Sequence, residues 1–117
     1  MTKRELIDYC LGYPDTYEDY PYDDQWAVLR HQSNKKSFAF IFEREGVVCV
    51  NLKCEPMRAD FLRSTFSEVT PAYHMNKQHW NTVSLRGDLP KAELFDMITH
   101  SYDLTKPKSK LIRRKTL

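Results

Sequence analysis

Glycine is scarce in this chain, with 3 residues against 6 prolines, a balance that argues against low-complexity repeats and flexible linkers. The cysteines lack a pattern: Cys10, Cys49 and Cys54 are odd in number and form no CxxC pair. Two of them sit in apolar or strand-like sequence, where a free thiol behaves as a small hydrophobe, so a reduced, cytoplasmic protein is expected. Long apolar runs are missing, which leaves no support for a membrane span, and no apolar segment follows a basic start as a secretion signal requires. Any catalytic motif with a mechanism is also missing.

What is present is enough for a core. Hydrophobic residues make up 41% and aromatic residues 13% of 117 residues, so the chain folds as one domain that buries roughly two-thirds of its unfolded surface. Charge is unevenly spread. Lys106, Lys108, Lys110, Arg113, Arg114 and Lys115 stand in a stretch without acids, and the remaining 12 bases against 16 acids leave a body of net charge −4. The expected division is a domain over residues 1–104 and a basic C-terminal tail over 105–117. Asp15, Glu18, Asp19, Asp23 and Asp24 form an acidic block that a polyanion must avoid.

Periodicity then gives the elements. Thr2 and Glu5 have capping-box spacing, and Leu6, Ile7, Cys10 and Leu11 form the stripe of a first helix stopped by Gly12 and Pro14. Residues 13–22 mix prolines, acids and tyrosines without a period and read as an ordered loop. From Trp26 the period is two: Trp26, Val28 and Arg30 alternate with Ala27, Leu29 and His31. After a turn at Ser33, Asn34 and Lys35, the run FAFIF is expected to place Phe38, Phe40 and Phe42 on one face. Gly46 marks a second return into VVCVNLK. Pro56 opens a second helix with Met57, Phe61, Leu62 and Phe66 inward and Arg58 and Arg63 outward. Short strands follow at 69–73, with Pro71 at an edge, and at 81–85. A last helix is capped by Asp88, carries Leu94, Phe95, Ile98 and Tyr102, and ends near Leu104. The order α-β-β-β-α-β-β-α predicts a two-layer α+β fold with helices on an antiparallel sheet.

The chemically loaded stretch is HMNKQHW, where His74, Asn76, Lys77, His79 and Trp80 fall within seven positions. A metal held by His74 and His79 needs a loop and a third ligand such as Cys54, because residues five apart lie about 140° around a helix or on opposite strand faces. Cys54 stands just before a helix whose amide dipoles favour a thiolate, yet nothing supplies an orienting acid. No metal, no cofactor and no enzymatic activity are expected. Nucleic-acid binding has a physical case: Lys53, Arg58, Lys77 and Arg86 suit phosphates, Asn76 suits a base edge, and Trp80 suits an unpaired base. The bland alternative has His74, Asn76 and His79 fixing an irregular turn, Trp80 filling the core and Lys77 in solvent. For the basic tail the corresponding alternative is a disordered, solvated end.

NLKCEP, then AYHMNKQHWNTVSLRGDLP, then ITHSYDL closely resemble the pattern of the MmcQ/YjbR family of small bacterial proteins, and the likeness begins at the YP and EDYPY turns. The resemblance implies a DNA-binding double-wing domain, similar to CyaY-like (frataxin-like) or secretion-chaperone-like folds. It puts wings at the Asn34 to Lys36 turn and at the Glu43 to Gly46 turn; Lys35 and Lys36 suit a phosphate there, Glu43 and Glu45 do not. Weak, non-specific DNA contact is then expected from Lys35, Lys36, Lys53, Lys77, Asn76, Arg113 and Arg114. A protein-interaction module, as a monomer or weak homodimer, is the competing expectation.

Overall fold

The computed structural model describes residues 1–72 and 74–108. In chain order the elements are α1 (Lys3–Leu11), β1 (Thr16–Asp19), β2 (Ala27–His31), β3 (Ser37–Arg44), β4 (Val47–Lys53), α2 (Pro56–Thr65), β5 (Val69–Pro71), β6 (Trp80–Ser84) and α3 (Lys91–Thr105). All strand pairs are antiparallel, and the six strands lie in the order β1-β2-β3-β4-β6-β5. The α+β class and the element order hold, with one strand added. That strand is β1, inside the segment read as a loop. It has no apolar alternation to betray it, and is held instead by its ladder to β2 and by ion pairs from Glu18 to Arg4 and Asp19 to Arg30.

All three helices pack on one face of the sheet. Leu6, Ile7 and Cys10 of α1, Ala59 and Leu62 of α2, and Leu94, Met97 and Ile98 of α3 share a core with Ala27, Leu29, Ala39, Ile41, Val50, Leu52, Val69 and Val83 of the strands. The capping box at α1 is formed, with Glu5 N donating to Thr2 Oγ1 and Thr2 N donating to Glu5 Oε1. Glu45 and Gly46 both take positive φ, 55° and 78°, which is the turn that lets β3 return directly as β4. The three cysteines are buried free thiols; burial pushes Cys10 up to about 12.

Four expectations are corrected. Phe38 does not share a face with Phe40 and Phe42: Leu29 pairs with Ala39 but Arg30 pairs with Ser37, so Phe38 is the extra residue of a β-bulge. The bulge turns Phe38 to the helix side, against Tyr13, His31 and Tyr102, and leaves Phe40 and Phe42 on the other face with Trp80 and Trp26. In α2 the inward residues are Ala59 and Leu62, with Phe66 packed beside them, while Met57 is 88% and Phe61 65% exposed. At 100° per residue Met57 and Phe61 fall on the flank opposite Ala59 and Leu62, so the four-residue stripe was too wide for one contact face. Arg63 points inward, for reasons given below. Asp88 caps nothing; Pro90 takes the N-cap position of α3 without a side-chain bond, and the Asp88 amide donates to Glu68 Oε2 instead.

At the far end of α3 His31 is 1% exposed, with Nε2 2.8 Å from Thr105 Oγ1. The Thr105 hydroxyl donates to the Ser101 carbonyl, which makes the imidazole the donor to Thr105. Asn34 Nδ2 donates to the Thr105 carbonyl, so the β2–β3 turn and the end of α3 are fastened together.

Phe38→Ala should cost about 3 to 5 kcal/mol in urea unfolding, because its ring is fully buried among three others. Phe61→Ala should stay within about 0.5 kcal/mol. Burial lowers the pKa of His31 and of His100, so the unfolded chain takes these protons first. Their contribution is complete above the ordinary imidazole value and is lost as pH falls below it and through the lowered folded values; the urea midpoint should drop steadily as pH is taken from about 7.5 to below about 6.5.

Candidate functional site

Antiparallel pairing brings one set of lysines to one end of the sheet. Lys35 and Lys36 sit in the β2–β3 turn, where Lys35 takes φ 63° and its amide donates to the His31 carbonyl. The Lys36 amide donates to Asn34 Oδ1, which fixes the turn from within. Lys53 ends β4 opposite Trp80 at the start of β6, and its amide donates to Ser101 Oγ near the end of α3. Lys77 lies in the connection that enters β6, and Lys106 follows α3 directly beside the Asn34 to Thr105 bond. Lys35, Lys36, Lys77, Lys106 and Lys108 are exposed and Lys53 is half-buried. The electrostatics of this end are softened by Asp103, 3.3 Å from Lys106, and by Glu55 beside His100. Arg113 and Arg114 lie outside the described residues.

Local chemistry explains why HMNKQHW holds its path. Asn76 Oδ1 accepts from the Gln78 amide, the His79 amide donates to the Asn76 carbonyl, and the His79 carbonyl accepts from Cys54 N. His74 takes φ 63°. From the helix side, Arg63 Nε donates to Asn81 Oδ1 at 2.6 Å, and its Nη2 donates to the carbonyls of Trp80 and Lys77. One guanidinium thus ties together the end of the connection and the start of β6, which is why Arg63 is not outward. Asn76 is spent on the turn, His79 acts through its backbone, and Trp80 is half-buried with its ring edge-on to Phe40 at 5.6 Å.

The wings expected at the two hairpin turns stand at opposite ends of β3, an eight-residue strand that spans about 26 Å. Lys35 leans over the Tyr17 ring, 5.1 Å from its centroid. At the other end, Arg44 and Arg86 border a cavity of about 390 Å³ together with Glu45 and Glu68, so positive charge is offset there. Arg58 pairs with Asp96. Among the described residues no group of three or more His, Cys, Asp or Glu converges on a point where a metal ion could sit. The thiol of Cys54 is raised by desolvation rather than lowered by the helix it precedes, a correction to its expected reactivity. No helix among the described residues is long and apolar enough to cross a membrane.

Sequence reasoning found the lysines and missed the groups that hold them. Asn34 was legible only as a turn residue and Arg63 only as an outward helix residue, and nothing marked Thr105 at all. A second cavity, bounded by Tyr22, Asp23, Trp26, Phe40, His74 and Met75 over the uncovered face, was not foreseen. Its one local signal is Asp23 two and three residues ahead of Gln25 and Trp26, the spacing of a side-chain cap.

A helix layer on one face of an open antiparallel sheet defines a small α+β domain. The comparisons agree with that class and make it particular. The YjbR family model matches residues 11–104. The chain is 35% identical over 102 residues to the uncharacterized protein YjbR of Escherichia coli K12, covering 87% of this chain and 85% of that one. It is 33% identical over 118 aligned positions to the uncharacterized protein YyaQ of Bacillus subtilis, with 91% and 99% covered. Among solved structures, a Pseudomonas syringae protein superposes with a TM-score of 0.80 at 34% identity, over 91% of this chain and all of that one. Deinococcus radiodurans protein DR2400, described by the domain DUF419, gives 0.82 at 30% identity, over 97% and 86%. This chain belongs to the YjbR family.

Arg63→Ala should lower stability by about 2 to 3 kcal/mol, since it strips the partner from an Asn81 that is 2% exposed and whose Nδ2 already has no partner among the described residues. Arg63→Lys should not rescue it, because an ammonium cannot span the three acceptors. Urea unfolding of both variants is the check, and equal stability of the lysine variant and the parent would exclude the bridging role.

Proposed function

We propose that this YjbR-family protein binds DNA, weakly and with little sequence choice, as a non-catalytic cytoplasmic protein. The observation that supports the reading is the gathering of Lys35, Lys36, Lys53, Lys77 and Lys106 at one end of the sheet, where the chain also runs on into its basic C-terminal residues. A surface of this kind neutralises phosphates and releases counterions, which gives affinity without base readout. Asp23 and Asp24 precede β2 and lie at its other end, so that part of the acidic block is turned away from the lysines. Asp15 and Asp19 come closer: the Asp15 carbonyl accepts from the Gln32 amide beside the basic turn, and Asp19 pairs with Arg30, which itself donates to the Lys35 carbonyl.

A protein-interaction role is the second reading, favoured by the exposed Met57 and Phe61 one turn apart on α2.

Titration of duplex DNA should give micromolar or weaker dissociation at physiological salt, with a log-log salt slope of about −3 to −4 if four lysines engage. Replacing Lys35 and Lys36 by alanine should flatten the slope by about 1 to 2. A chain ended after Lys108 separates the contribution of the basic tail while keeping Thr105, whose side chain closes over His31. No association at low salt would end the DNA reading and leave the interaction module.

A further inference from the structure

We propose that the cavity over the uncovered face of the sheet is a binding site for an organic cation, an arginine guanidinium or an alkylated ammonium. The cavity holds about 280 Å³ and is lined by Tyr22, Asp23, Trp26, Phe40, His74 and Met75. Three of these six are aromatic rings, whose electron-rich faces attract cations, and Met75 adds a polarizable sulfur. Two of the rings are held in place, while Tyr22 is 68% exposed at the rim. Trp26 stacks on Phe42 at 4.1 Å with 9° between planes, and Phe40 is 8% exposed under the edge of Trp80.

Asp23 supplies the counter-charge. Its Oδ1 accepts from the amides of Gln25 and Trp26, which anchors the carboxylate at the base of the Trp26 ring. Its Oδ2 has no hydrogen-bond partner among the described residues, and no lysine or arginine lines the cavity to neutralise it. A fixed carboxylate with one available oxygen at the exposed rim of the cavity, beside aromatic side chains, fits a positively charged group with apolar flanks. The same arrangement disfavours phosphates and carboxylates, so this site is separate from the lysine-bearing end and does not depend on the DNA reading. The β1–β2 connection supplies Tyr22, Asp23 and Trp26, and the segment entering β6 supplies His74 and Met75. The cavity is therefore an open one, flanked by two connections over a strand floor.

The test uses the full chain, titrated at constant ionic strength with N-acetylargininamide and with tetramethylammonium. N-acetylcitrullinamide is the uncharged control, of nearly the same form as the arginine probe. Tryptophan fluorescence and the Met75 methyl resonance report occupancy. At least one cation should give a saturable change that citrullinamide does not, and the stronger of the two distinguishes a peptide side chain from a quaternary amine as the source. Asp23→Asn keeps an Oδ1 for the two amides and removes the charge, so it should weaken binding about ten-fold without moving the melting temperature. Equal binding of the neutral control, unchanged affinity in the Asp23→Asn protein, or no saturable change with either cation would overturn the proposal.

Discussion

The single extra residue in β3 is the constraint on which the two faces of this protein depend. Without the bulge, strict alternation would send Phe38, Phe40 and Phe42 to the same side. With it, the Phe38 ring joins the helix layer beside Tyr13, His31 and Tyr102, while Phe40 and Phe42 serve the opposite side with Trp80 and Trp26. One local irregularity therefore distributes aromatic packing between a core covered by helices and a sheet face covered only by connections. That division leaves one face packed under the helices while the other keeps a cavity.

The uncovered face is nevertheless well filled. Val28, Phe40, Phe42, Cys49, Asn51 and Thr82 are all buried there or nearly so, with Thr82 Oγ1 donating to Asn51 Oδ1 at 2.5 Å in its centre. Two tryptophans lie over Phe42 and Phe40, and each is positioned by something else. Trp26 is set by the Asp23 cap, and Trp80 by the Arg63 bridge from the far layer. Arg63 is notable because it passes from α2 to the entry of β6 and so fixes a connection that has no regular structure of its own. The lysines and rings that suggest function rest on these few polar supports.

Much of this was legible from the residues. Capping at Thr2 and Glu5, the alternation from Trp26, the Glu45-Gly46 return and the proline-started helix are local signals, and local signals survive into the structure. What failed was non-local. A bulge depends on how β3 registers against β2, and β1 depends on ion pairs to α1 and β2, neither of which leaves a period in the sequence. In α2 the apolar letters at Met57 and Phe61 suggested a wide stripe, whereas the rotation of the helix is set by the small Ala59, Leu62 and the inward Arg63. The candidate site divides the same way. Lys35, Lys36, Lys53 and Lys77 could be picked out by charge, but their presence at one end of the sheet follows only from antiparallel pairing.

The fastening of Thr105 to Asn34 and His31 joins residues 71 and 74 positions apart. Loop closure over that distance costs entropy that must be met before the contact returns anything, so the latch belongs to the late steps of folding. During synthesis the hairpin that carries Lys35 and Lys36 leaves the ribosome long before Thr105 does. The basic turn accordingly has no anchor at its α3 side until α3 itself has been made, so its final rigidity waits on a segment about seventy residues further along the chain.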